Sequence, residues 1–129
     1  MKKLLFAIFI TVFTCGYGQS SRILTKYAKY RQNKGGYWTE WSGVKKTSVV
    51  VEVNAAEQKI FVYSSPKEVY RVIDLKPTQY INDTLVQDYY CEDSSGKKCT
   101  ITFVLNTNDE VLINLRYNNW EYIYSGTNL

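Results

Sequence analysis

The 129-residue chain contains no histidine. The side chain that most often serves as a general base near neutral pH, and most often binds metal, is therefore missing. Two prolines and seven glycines are too few for a collagen-like or low-complexity chain. There is no glycine-rich phosphate loop and no Gly-x-Ser-x-Gly elbow. Adjacent carboxylates occur at Glu92–Asp93 and Asp109–Glu110, both in predicted turns, where such pairs are normally solvated. Asn106, Asn108, Asp109 and Glu110 offer oxygens to calcium, but without EF-hand spacing they read as a plain hairpin loop. The chain is not expected to be an enzyme, and no cofactor, metal or catalytic residue is assigned.

Long apolar runs are missing as well. Leu4–Phe13 falls short of the roughly 20 residues a membrane-spanning helix needs. Lys2 and Lys3 precede it and "GYG" follows, which is the pattern of a bacterial secretory signal peptide. Residues 1–18 are read as that leader, and the protein as exported to the periplasm or the medium. Lipidation at Cys15 is the lesser alternative, because Phe13 stands where a lipobox has a small residue.

The charge is uneven. Of 16 basic residues, Arg22, Lys26, Lys29, Arg31 and Lys34 fall in an arm, residues 19–34, that has no acid. The arm reads as a solvated lead-in or as a peripheral contact with an anionic surface. Tyr27 and Tyr30 interleave with its charges as in single-strand nucleic-acid binders, but an exported protein seldom meets nucleic acid. Only "SRILTKYAKYRQ" admits a short helix, with Ile23, Tyr27 and Tyr30 on one side.

From Gly35 to Leu129 the sequence reads as a single β domain. Runs rich in Val, Ile, Thr, Tyr and Phe recur every eight to twelve residues, separated by short polar stretches. The expectation is an all-β antiparallel meander of six to eight strands, as a small barrel or a sandwich. Val49, Val51 and Val53 share one face. In Lys59–Ser64 both faces are apolar, and the inner one stays open.

Cys91 and Cys99 flank a polar loop. An even cysteine count after leader removal, in an exported chain, points to a disulfide. A metal site would need two more ligands, and a redox pair normally has Cys-x-x-Cys spacing. Placing the bridge at a non-hydrogen-bonded pair sets a register in which Tyr89 faces Ile101, Gln87 faces Phe103 and Leu85 faces Leu105. Carried forward, this pairs Leu105 with Val111, Phe103 with Ile113 and Ile101 with Leu115. A two-residue Asn118–Asn119 turn then pairs Tyr117 with Trp120, Leu115 with Tyr122 and Ile113 with Tyr124. Arg116 falls opposite Glu121 on the outer face.

The chain is rich in aromatics, with twelve tyrosines and three tryptophans. Small β domains bury such rings with the hydroxyl at the rim. Carbohydrate and peptide binders also present them on a sheet face. Trp38 and Trp41 have opposite parity, so a regular strand would expose at most one.

"YYCEDSSGKKCTITF" resembles, over its 15 residues, the Tyr-x-Cys-Asp-Gly stretch of small periplasmic inhibitors of C-type lysozyme, although their Ser-Gly-x-x-Tyr loop is absent. The resemblance implies a loop-inserting inhibitor of a lysozyme-like enzyme, contacting its target through Ser94, Ser95, Gly96, Lys97 and Lys98. Asp83-Thr84-Leu85 resembles the acceptor of a bacterial O-glycosylation system, with Thr84 as the modified residue. The leading expectation is a non-catalytic binding module for a protein or a surface glycan. An inhibitor and a small-ligand carrier are the alternatives. Oligomeric state is not legible.

Overall fold

The computed structural model describes residues 20–54, 56–106 and 110–128. The leader, the lipidation alternative at Cys15, and Asn108 and Asp109 lie outside the described residues. Eleven strands make up the described chain: β1 Ser20–Lys34, β2 Tyr37–Trp38, β3 Lys45–Lys46, β4 Val50–Asn54, β5 Lys59–Val62, β6 Glu68–Leu75, β7 Gln79–Ile81, β8 Thr84–Asp93, β9 Lys98–Leu105, β10 Glu110–Arg116 and β11 Trp120–Asn128. Hydrogen bonding follows β1, β4, β5, β6, β8, β9, β10 and β11 in order, and β11 pairs back onto β1. The meander therefore closes as an eight-stranded antiparallel barrel, which leaves no open edge along that path.

The remaining strands extend these staves. β2 and β3 run back along β1 ahead of β4. The turn between β1 and β2 is Gly35–Gly36, with φ of 68° and 99°. Both central residues of a type I′ two-residue turn need positive φ, which glycine adopts without strain. Likewise β7 continues the line of β6 along β8 and turns at Asn82–Asp83, again both at positive φ.

The arm expected to be a lead-in or a short helix is instead the longest stave. Ile23 is fully buried, Thr25 nearly so, and Ala28 joins the core. A register shift between Thr25 and Tyr27 marks a bulge. It moves the inward positions from Ile23 and Thr25 to Ala28 and Tyr30, so that an alternating pattern takes on a helix-like spacing.

The register read from the second half is the one formed. Leu85, Gln87 and Tyr89 face Leu105, Phe103 and Ile101. Val111, Ile113 and Leu115 face the same three β9 residues from the other side. Leu115 faces Tyr122, Ile113 faces Tyr124, and Arg116 faces Glu121. Tyr117 N–H donates to the Trp120 carbonyl at 2.8 Å, closing the asparagine turn.

Side chains fill the interior. Tyr89 and Phe103 meet edge to face at 5.5 Å, both with no exposed surface. Each such residue contributes about 1.5–3 kcal/mol through burial. Gln87, also fully buried, donates to the carbonyls of Lys76 and Asp88 and accepts from the Thr78 hydroxyl, tying the β6–β7 connection to β8. In β5 the open question resolves: Ile60 and Val62 join the core cluster. Phe61 lies outside against Tyr63, with Lys67 over both rings.

The expected disulfide is not formed. Cys91 and Cys99 oppose each other as the register requires, but both are free, buried thiols. The sequence reading placed them at a non-hydrogen-bonded pair. Asp93 N–H donates to the Lys97 carbonyl at 2.9 Å. By the two-residue alternation of an antiparallel ladder, 91 and 99 are then a hydrogen-bonded pair. Opposed Cβ atoms there stand near the wide end of the 4.5–5.5 Å range, about 5.5 Å apart. A disulfide wants them roughly 3.5–4.5 Å apart.

Candidate functional site

The antiparallel order brings four connections to one end of the barrel: β1–β2, β5–β6, β8–β9 and β10–β11. The inward positions nearest that end are aromatic. Tyr30 of β1 lies opposite Tyr122 of β11, and Gln32 opposite Trp120. Tyr30 stacks on Trp120 at 5.0 Å and lies 6.2 Å from Tyr122, whose ring is 4.8 Å from Tyr124. Tyr70 of β6 and Tyr117 complete the ring. The alternation that buries Val, Ile and Leu deeper in the barrel places these larger rings at its end.

Two carboxylates sit among them. Tyr70 donates its hydroxyl to Glu68 at 2.6 Å, and Tyr117 donates to Asp93 at 2.7 Å. Burial pushes both phenols well above their ordinary value, and the carboxylate each one bonds pushes further. Asp93 also accepts the N–H groups of Ser95 and Lys97, each at 2.9 Å. Burial works to raise its carboxyl, but the Tyr117 hydroxyl and these two N–H groups outweigh it and hold Asp93 below the usual carboxylate range.

Tyr117 and Trp120 form a wall shared by two clefts. One, about 330 Å³, is bounded by Ser64–Pro66, Glu68 and Tyr70, with Tyr122 and Tyr124 behind. The other, about 320 Å³, is bounded by Gln32, Asp93, Lys97 and Asn119. Neither continues into the barrel, whose interior beneath is occupied by Leu115, Ile101 and Tyr89.

The residues singled out from the sequence are distributed as follows. Ser94, Ser95 and Gly96 form an exposed three-residue turn with Gly96 at φ 85°, closed by the Asp93–Lys97 bond, and exposed Lys97 and Lys98 lead from it into β9, beside the aromatic end. Asp93, rather than a disulfide, ties the turn to β8 by accepting the Ser95 and Lys97 N–H groups. Glu92, expected to be solvated, is bridged by Arg71 at 2.5 Å and Lys98 at 2.6 Å. These contacts, Lys98 first, lower its carboxyl. Thr84 follows the Asn82–Asp83 turn at the opposite end, half-buried, with its hydroxyl 3.5 Å from the Asn82 carbonyl.

The five cations of the arm separate into two groups. Arg22 lies 3.8 Å from buried Glu52, and Arg31 forks onto buried Glu121. Lys26 and Lys34 are exposed, and Lys29 lies over the Trp41 ring. Trp38 and Trp41 both turn to the same outer face, with the Arg31 guanidinium 4.9 and 4.4 Å from their rings. Neither ring is fully exposed, and Thr39–Val44 is not a regular strand, so strand parity does not govern the two.

The sequence had placed Tyr117, Trp120, Tyr122 and Tyr124 on one face. It did not bring Tyr30 and Tyr70 to the same end, since that depends on barrel closure and on the β1 bulge. Among the described residues no group of three or more Cys, Asp or Glu could hold a metal ion. No family model, no curated protein and no solved structure matches this chain.

Proposed function

We infer that this protein is a non-catalytic binding module whose recognition site is the aromatic end of the barrel. One observation carries this reading: six aromatic rings, two carboxylates and four connections converge over an interior already filled with side chains. Barrel mouths are frequent ligand sites, and partly exposed aromatics with a few placed polar groups are their usual lining. The filled interior disfavours a carrier that encloses its ligand. The leader pattern of residues 1–18 supports a protein exported to the periplasm or the medium.

A second reading, inhibition of a lysozyme-like enzyme, is favoured by the exposed Ser94–Lys98 segment. A turn already ordered by Asp93 loses less entropy on insertion into a cleft. The two readings share the Asp93–Tyr117 contact and differ in which residues touch the partner. Capture from culture medium and cell-envelope extract would be compared for the wild type, Trp120→Ala/Tyr122→Ala, and Ser95→Ala/Lys97→Ala. Loss of a specific captured species with the first variant alone supports the mouth. Loss with the second alone, together with inhibition of lysozyme by the wild type, transfers recognition to the turn. Undiminished capture by both variants overturns both readings.

A further inference from the structure

We propose that the two clefts are adjacent subsites for one linear, uncharged oligosaccharide that crosses the Tyr117–Trp120 wall. The proposal rests on the mouth being the recognition site and adds the chemistry of its ligand.

Ligand shape follows from the wall. Tyr117 and Trp120 are the residues that close the β10–β11 turn, and both line both clefts. A ligand confined to one cleft would meet the wall from one side only. A chain of linked units can place one unit in each cleft and meet Tyr117 and Trp120 from both.

Ligand chemistry follows from the lining. Each cleft joins aromatic rings to short polar groups: Ser64, Ser65 and Glu68 on one side, Gln32 and Asn119 on the other. The negative face of an aromatic ring attracts polarised C–H groups, and a sugar ring presents a C–H face within a rim of hydroxyls. Three competing classes fit less well. An alkyl chain would need depth, and the barrel beneath is full. A polyanion would meet Glu68 and Asp93. A small cation would be drawn to Glu68 in the first cleft but meets Lys97 beside Asp93 in the second, where the two charges offset.

The experiment is calorimetric and fluorescence titration of the protein lacking residues 1–18 with neutral cello-, manno-, xylo- and chito-oligosaccharides of one to six units. In at least one series, affinity should rise tenfold or more from one unit to two or three and then level off. Trp120→Ala should lose at least tenfold, while Tyr37→Ala, an exposed aromatic away from the clefts, should match the wild type. If Trp120→Ala fails to fold, amide shift mapping on the wild type serves instead: perturbation centred on Tyr117, Asn119 and Trp120 supports the proposal, and perturbation elsewhere overturns it. Affinity independent of chain length, or no neutral series bound at millimolar concentration, overturns it as well. Choline and an anionic glycan are run alongside, and tighter binding of either reassigns the ligand class. Should every oligosaccharide fail while Trp120→Ala/Tyr122→Ala still abolishes capture from extracts, the mouth stands and its saccharide ligand falls.

Discussion

Arg31 and Glu121 face each other across β1 and β11 on the outside of the barrel, with the guanidinium Nε and Nη2 both 2.7 Å from one carboxylate oxygen. Asn114 donates to the other oxygen at 2.6 Å, and Trp38 and Trp41 close over the guanidinium. Burial works to raise the Glu121 carboxyl. The bonds from Asn114 and Arg31, with the field of Arg31 and Arg116, outweigh it and hold the group below its ordinary value.

Arg31 is therefore part of the fold and not a free surface cation. Removing it leaves the buried carboxylate with only the Asn114 bond and the field of Arg116, and Arg31→Gln should cost roughly 3 kcal/mol in urea unfolding, the low end for breaking a buried pair. Arg31→Lys should fall between, since an ammonium cannot make the fork. Because the folded carboxyl is depressed, its contribution is complete above the unfolded value of about 4.3 and is lost as pH falls through the folded value. The gap between wild type and Arg31→Gln should narrow in acid. A variant as stable as wild type at pH 7 would remove the pair from the account of stability.

The two thiols make the second prediction. Burial raises Cys99 to about 11 and Cys91 further still. Thiolate is the reactive form, so both should resist iodoacetamide at pH 8. In protein lacking residues 1–18, mass spectrometry should count two alkylated cysteines after denaturation without reductant, and none before. A mass two daltons low, with no labelling until reductant is added, would restore the disulfide.

Gly126 lies opposite Thr25 at the β1 bulge. A Cβ there would come within 2.8 Å of the Thr25 Cα and of the Leu24 carbonyl carbon, both backbone atoms of a paired strand. Gly126→Ala should cost about 3 kcal/mol, the upper end of the overpacking range. Gly43→Ala, with open space around it, should stay within about 0.5 kcal/mol of wild type. Equal melting temperatures for the two variants would place the bulge elsewhere.

Why the second half was legible and the first was not comes down to parity. From Leu85 to Tyr124 each inward residue is two positions from the last, and short turns carry the phase across. In β1 the bulge breaks the phase between Thr25 and Tyr27, so the inward residues run Ile23, Thr25, Ala28 and Tyr30, while Tyr27, which a helical reading groups with Ile23 and Tyr30, turns outward. In β6 a second shift, between Val72 and Asp74, breaks the phase likewise. The closure of β11 onto β1, which assembles the aromatic end, is a pairing between the two ends of the described chain. No local pattern announces it. The cysteines were placed in the correct register but at the wrong kind of pair, a distinction made by the Asp93–Lys97 backbone bond rather than by spacing.

Asp93 couples the turn to the aromatic end. Asp93→Ala removes acceptors for Ser95 N–H, Lys97 N–H and the Tyr117 hydroxyl together, and should cost about 2 kcal/mol. Amide exchange at Ser95 and Lys97 should accelerate by at least tenfold. In the wild type the carboxyl is depressed, so the turn should loosen only as pH falls below the ordinary aspartate value of about 3.9. Unchanged exchange in Asp93→Ala would assign the order of the turn to its backbone alone.

The separation of the arm's cations sharpens the question of an anionic surface. Arg22 and Arg31 are committed to Glu52 and Glu121, so an attraction must come from Lys26, Lys29 and Lys34. Lys45 and Lys46 of β3, exposed and paired with Ala28 and Tyr27, add to the same side. Tyr27 and Val44 lie exposed among them, 46% and 65% accessible, and give that side an apolar component. Binding to liposomes containing anionic lipid should weaken steeply between 50 and 300 mM salt, since exposed charges are screened beyond about 8 Å at physiological ionic strength. Lys26→Gln/Lys29→Gln/Lys46→Gln should abolish it and change stability by less than about 0.5 kcal/mol, because none of the three holds a buried partner. Arg31→Gln, in contrast, should lower stability while leaving salt-sensitive binding intact in the molecules that remain folded. Retention on neutral and anionic liposomes alike, indifferent to salt and to the triple change, would rule out a basic contact surface on this side of the barrel.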